Sequence, residues 1–133
     1  MYEQGDAPAY SVECWTSVKN TLGLDFPSIP YMIDNEVKLT DPLAIMIYIA
    51  GNYAPELLEA NPEEKGQMDQ VYHHLKEAKS AITSPCYVGE DREKLTKLAK
   101  ARMAPLINYL GKKDYLFGSE LRYLDFYFLE ICD

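Results

Sequence analysis

Two short apolar runs, Tyr31-Met32-Ile33 and Val37-Lys38-Leu39, flank the polar triplet Asp34-Asn35-Glu36. Apolar residues on either side of a tight polar turn predict a β-hairpin. Upstream, residues 1–9 with Gly5-Asp6-Ala7-Pro8 read as a loop. Val12, Trp15 and Lys19 share roughly one face of a short helix predicted over Tyr10–Asn20, and Gly23 follows where a helix-terminating glycine belongs.

Beyond residue 40 the pattern becomes helical. Thr40-Asp41-Pro42 predicts a helix start, with Asp41 as N-cap and Pro42 in the first helical position. The helix from Pro42 to about Tyr53 is apolar nearly all round (Leu43, Ala44, Ile45, Met46, Ile47, Ile49, Ala50), so it is expected to be sandwiched between other elements. Asn61-Pro62-Glu63-Glu64 opens the next helix, with acids at the positive end of its dipole and an apolar face of Met68, Val71, Tyr72, Leu75, Ala78 and Ile82. Ser84-Pro85 is its expected end. Leu95, Leu98, Arg102, Leu106 and Leu110 set the face of a helix over Asp91–Leu110, expected to kink at Pro105 and to close at Gly111. A last apolar segment, Tyr123 to Asp133, carries Phe126, Phe128, Leu129, Ile131 and Cys132. The layout is α+β and mostly helical: a hairpin with short helices, then an α-helical bundle, with the boundary near residues 53–61.

Bulk properties narrow the partners. The chain has 133 residues, of which 47% are hydrophobic, enough for a core. A formal charge of −8 disfavours nucleic-acid backbones and anionic membranes. No run approaches the roughly 18 apolar residues of a membrane span. Met1-Tyr2-Glu3-Gln4-Gly5 has neither the basic nor the apolar region of a secretory signal. Cys14, Cys86 and Cys132 show no CxxC or metal-type spacing and read as reduced thiols. The cytoplasm is the expected compartment, an organelle assembly being the alternative. His73 and His74 are adjacent and diverge on a helix, so no metal site is expected from them.

The segment Leu22-Gly23-Leu24-Asp25-Phe26-Pro27-Ser28-Ile29-Pro30-Tyr31-Met32-Ile33-Asp34 closely resembles the stretch leading into the third strand of mu-class glutathione transferases. Gly5-Asp6-Ala7-Pro8 with Trp15, Ala44-Ile45 with Tyr48-Ile49-Ala50, Tyr109-Leu110-Gly111-Lys112-Lys113, and Leu116-Phe117-Gly118 with Leu124-Asp125-Phe126 agree in order and spacing. The chain thus resembles a cytosolic, mu-class-like glutathione transferase truncated at both ends. That implies a partial thioredoxin-like domain over residues 1–53, without its first β-α-β unit. An all-α domain of the family's C-terminal type would follow over residues 61–133, cut within its central helix.

The resemblance also implies a site. Glutathione would be the substrate, with no other cofactor. Ile29, before a cis Pro30, would pair its backbone with the cysteinyl part; Trp15 and Lys19 would hold the glycyl end. On spacing alone, Trp15 and Lys19 read rather as a half-buried indole and a lysine whose stem lies along the surface; the resemblance reverses that preference. Two departures bear on activity. Where the family has Gln-Ser to bind the γ-glutamyl carboxylate, this chain has Asp41-Pro42, and Pro42 offers neither hydroxyl nor N–H. Losing two charge-assisted hydrogen bonds would cost about 3–6 kcal/mol. Asp41 could still meet the γ-glutamyl ammonium, but weak binding is expected. On this match the catalytic tyrosine, which stabilises the nucleophilic thiolate, lies before residue 1. Tyr2 and Tyr10 align elsewhere, and Tyr87 matches only an assisting tyrosine across the electrophile site. Arg122 stands where the family has a Ser or Thr N-cap, a loss of about 1 kcal/mol.

The expected function is therefore that of a glutathione S-transferase-like protein, inactive or weak as the isolated chain. The alternative is a non-catalytic subunit. An isolated hairpin is marginal in water, and the last helix is apolar on most sides. Expected partners are glutathione, and either a homodimer or a larger hetero-assembly covering the open sheet edge and that helix.

Overall fold

A computed structural model describes residues 2–3, 5–6, 9–87, 89 and 91–132, with the side chain of Tyr87 outside that set. The chain divides into two compact units, residues 1–49 and 50–133, the division falling inside a helix.

In the first unit, strands β1 (Tyr31–Asp34) and β2 (Val37–Thr40) pair antiparallel with Tyr31 opposite Thr40 and Asp34 opposite Val37. The reversal at Asn35-Glu36 places Asn35 at φ 52°, a left-handed conformation that asparagine tolerates better than most residues. The hairpin appears as expected, and it is the sheet found among the described residues. Upstream, the predicted continuous helix over Tyr10–Asn20 is instead α1 (Glu13–Thr16), a turn, and a 3-10 segment Lys19–Thr21. Tyr10 at φ 45° stands outside helical geometry, which delays the start. Trp15 and Lys19 therefore do not share one helix face.

Gly23 (φ 67°) ends this segment, and its left-handed φ favours glycine. Besides the left-handed φ, a Cβ here would lie 2.6 Å from Lys38 Nζ, whose ammonium donates to the Leu22 carbonyl at 3.0 Å.

Helix α2 (Pro42–Tyr53) starts as expected, with Asp41 as its cap. The expected sandwiching is seen only in part: Ala50 is buried and Leu43, Ala44, Ile45 and Met46 are half-buried, but Ile47 and Ile49 are exposed.

The second unit is built on α3 (Pro62–Tyr87), α4 (Arg92–Leu110) and α5 (Tyr123–Cys132). Both α4 and α5 pack on α3. Met68, Val71, Tyr72, Leu75 and Ala78 of α3 are buried, as their spacing predicted. Leu75, Leu116 and Leu124 are wholly inaccessible and mark the centre of the core. Pro85 does not end α3, which runs to Tyr87. Its ring removes the N–H that would bond the preceding turn, while its fixed φ is compatible with a helix. On α4 the expected stripe holds at Leu95, Leu98, Leu106 and Leu110, which are buried or half-buried; Arg102 is exposed and its neighbour Met103 is buried in its place. Asp91 caps α4 through the Lys94 N–H, and Gly111 (φ 56°) closes it.

At the start of α5 the Arg122 side chain has no acceptor to offer the first helical N–H groups, so the hydroxyl cap is absent as expected. The reciprocal half of a capping box is present: Asp125 Oδ2 accepts from Arg122 N at 2.9 Å and its Oδ1 from Leu116 N at 2.8 Å. The Arg122 side chain turns inward, where the residue is 7% exposed. Its guanidinium donates to Glu64 (2.9 and 3.3 Å), to the Glu56 carbonyl (2.8 Å) and to Glu120 (2.8 Å).

Candidate functional site

The hairpin register gathers the candidate residues. Because Tyr31 pairs with Thr40, their neighbours Pro30 and Asp41 come to the same end of the sheet. Ile29-Pro30 is a cis peptide leading directly into β1, and the Ile29 side chain is 52% exposed. Among the described residues nothing hydrogen-bonds the Ile29 backbone, which leaves it open to an extended peptide.

Trp15 is brought to this end by aromatic packing. Its indole stacks on Tyr31 with centroids 5.8 Å apart and planes 19° from parallel, and Tyr2 meets it edge-on at 5.1 Å. The Tyr2 and Tyr31 hydroxyls are 2.9 Å apart. That hydrogen bond, with some desolvation, raises the Tyr2 pKa, so Tyr2 remains a neutral phenol at physiological pH. Sequence reasoning set Tyr2 aside and missed this trio; its members lie far apart in the chain, and no local pattern links them.

Lys19 opens the 3-10 segment, half-buried, and forms no ion pair with a described residue. Its cation is available to an anion, although no described contact joins it to Trp15. Asp41 sits at φ 83° with Oδ1 accepting from Leu43 N at 2.9 Å and from Ala44 N at 3.3 Å. Asp34 accepts from the Tyr48 hydroxyl at 3.0 Å, tying the hairpin to α2. The Tyr87 side chain lies outside the described residues. Chemically, this end of the hairpin offers an open backbone edge, an aromatic wall and one carboxylate. Among the described residues no three His, Cys, Asp or Glu side chains group as metal ligands do.

No family model matches the chain. Individual proteins do. It is 34% identical over 136 residues to glutathione S-transferase 2 of Gallus gallus, covering 99% of this chain and 60% of that protein. It is 35% identical over 137 residues to glutathione S-transferase Mu 1 of Bos taurus, covering 100% of this chain and 62% of the relative. The chain thus spans about three-fifths of the length of the curated relatives it matches. Among solved structures, the glutathione S-transferase Blo t 8 superposes with TM-score 0.71 at 22% identity, over 91% of this chain and 58% of that one. Glutathione S-transferase 1-6 from Anopheles dirus species B gives 0.67 at 17%, over 94% and 60%. These two share the fold.

A thioredoxin-like hairpin unit followed by a helical unit is the architecture of the glutathione transferases, and the expected fold class holds. Over nearly its whole length the chain is similar to mu-class and other glutathione S-transferases.

Proposed function

We propose that the chain supplies glutathione-binding and helical portions of a glutathione S-transferase-like protein, resembling enzymes that conjugate glutathione to electrophiles, and that it binds glutathione weakly and turns over little on its own. Residues 1–53 serve as the thioredoxin-like glutathione-site domain and residues 61–133 as the helical domain. The observation that carries this reading is Trp15 stacked on Tyr31 beside the open Ile29 backbone edge. Ile29 and Pro30 receive the cysteinyl part, Trp15 and Lys19 the glycyl end, and Asp41 the γ-glutamyl ammonium; Tyr87 assists at the electrophile side. Trp15 is the chain's one tryptophan, so its fluorescence reports binding directly. Titration with glutathione is expected to change that emission with a millimolar-range midpoint, about −4 kcal/mol. An unchanged spectrum, together with no competition by an S-alkyl glutathione, would remove the reading.

A second reading, a non-catalytic structural subunit, is favoured by exposed apolar surface. Phe126 and Leu129 on α5 are 52% and 59% exposed, beside an apolar cleft of about 270 Å³ that also includes Leu121 and Phe128. Surface of this kind marks interfaces. For a homodimer, the surfaces to cover are Phe26, 80% exposed, and the cleft of about 350 Å³ between α3 and α4. Sedimentation of the native chain separates the cases. A self-association constant weaker than millimolar, with chloronitrobenzene conjugation abolished by Trp15→Ala, would exclude the structural reading.

A further inference from the structure

Helix α2 has twelve residues, and its first turn would ordinarily present unpaired N–H groups to an anion. Here none is left. Pro42 has no N–H. Leu43 N and Ala44 N donate to Asp41 Oδ1 at 2.9 and 3.3 Å, and Ile45 N donates to the Asp41 carbonyl at 3.1 Å. Asp41 is held over the helix end at φ 83°, and its Oδ2 has no partner among the described residues. The helix end is thus filled by the chain's own carboxylate and carries a full negative charge outward.

We infer that Asp41 is a specificity-determining residue: it closes the α2 N-terminus to carboxylate groups, so the peptide thiols this site accepts are recognised without their γ-glutamyl carboxylate. The inference rests on the glutathione-binding reading above and deepens it. An incoming carboxylate would have to displace Asp41 from two amide donors and then sit beside it. Only its own hydrogen bonds would be gained, and those merely replace the ones broken. An amino group in the same place faces Oδ2 with no donor to displace.

The test compares two ligands on the intact chain: glutathione, and γ-aminobutyryl-cysteinyl-glycine, which is glutathione without that carboxylate. By Trp15 fluorescence the native chain is expected to bind both within about threefold. Asp41→Gly suits the left-handed φ and frees both amides; it takes the amino group's partner from both ligands alike, so the expected result is a shift in preference toward glutathione over the analogue of about tenfold. A native chain that prefers glutathione by about tenfold would overturn the inference and leave the binding reading standing, and needs no variant to fold. An Asp41→Gly protein, folded by circular dichroism, that still treats both ligands alike would also overturn it. If neither peptide binds either protein, the binding reading falls and this inference with it.

Discussion

Replacing Arg122 by methionine keeps the side chain's bulk and removes its charge from the second unit. In the native chain the Arg122 and Glu64 side chains are 8% and 15% exposed, so their contact is shielded, whereas Glu120 at 71% contributes little. The variant leaves the Glu64 carboxylate without its strongest partner and the Glu56 carbonyl without its donor. The backbone bond from residue 122 to Asp125 survives, so the start of α5 is not itself at issue. Removing one member of a buried pair costs about 3–5 kcal/mol. The partial exposure of Glu64 lets water reach it and places the expected loss near the lower end, about 3 kcal/mol. For a chain of this length that is a fall in Tm of roughly 10 °C.

Two further measurements make the reasoning refutable. The double variant Arg122→Met with Glu64→Leu removes both charges. It is expected to recover most of the loss, less about 1 kcal/mol for the Glu64 bond to the Ala60 N–H. The pH dependence has a definite sign. The hydrogen bond from Arg122 holds the Glu64 pKa below its ordinary 4.5, so the unfolded chain takes up this proton first as pH falls. Stability from the pair is complete above 4.5 and is lost as pH drops through the folded value. Urea unfolding of Arg122→Met is expected to lose that part of the acid slope. A native-like midpoint at pH 7 together with an unchanged acid limb would show that the cluster is incidental.

Other consequences are simpler. Gly23→Ala places a Cβ at φ 67° against Lys38 Nζ, so urea unfolding should show about 1–2 kcal/mol lost; Gly23→Asn, which tolerates that φ, should lose less. Leu124→Ala at a wholly inaccessible position should cost about 2–5 kcal/mol in the same assay, whereas Leu129→Ala at 59% exposure should stay within about 0.5 kcal/mol.

The elements that were legible in the sequence were those whose signals are local. Asp41-Pro42, Asn61-Pro62 and Asp91 each announce a helix because the cap and its N–H donors lie within four residues, and all three helices begin there. The α3 stripe was legible because five apolar residues repeat at helical spacing and bury together. The α4 stripe was legible at its four leucines and missed at one position: only packing on α3 selects Met103 over Arg102. The late start of α1 depends on the backbone at Tyr10 and was invisible to periodicity. What the Arg122 side chain does instead of capping was not legible because its partners lie 58 and 66 residues away, at Glu64 and Glu56.

The candidate site follows the same division. Ile29-Pro30, Trp15 and Asp41 were recognisable as residue types in family positions, but what holds them is long-range: Tyr2 and Tyr31 fix the indole, and the strand register brings Pro30 and Asp41 to one end of the sheet. Asp41 is the instructive case, because one local signal supports two opposed expectations. An acidic residue before a helix is both an N-cap and, by position, a neighbour for a ligand's anion. Both uses draw on the same few N–H groups, and a covalently attached carboxylate faces no loss of translational entropy in reaching them. Once Pro42 removes one donor and Oδ1 takes two more, the capping role is filled at the expense of the anion-binding role.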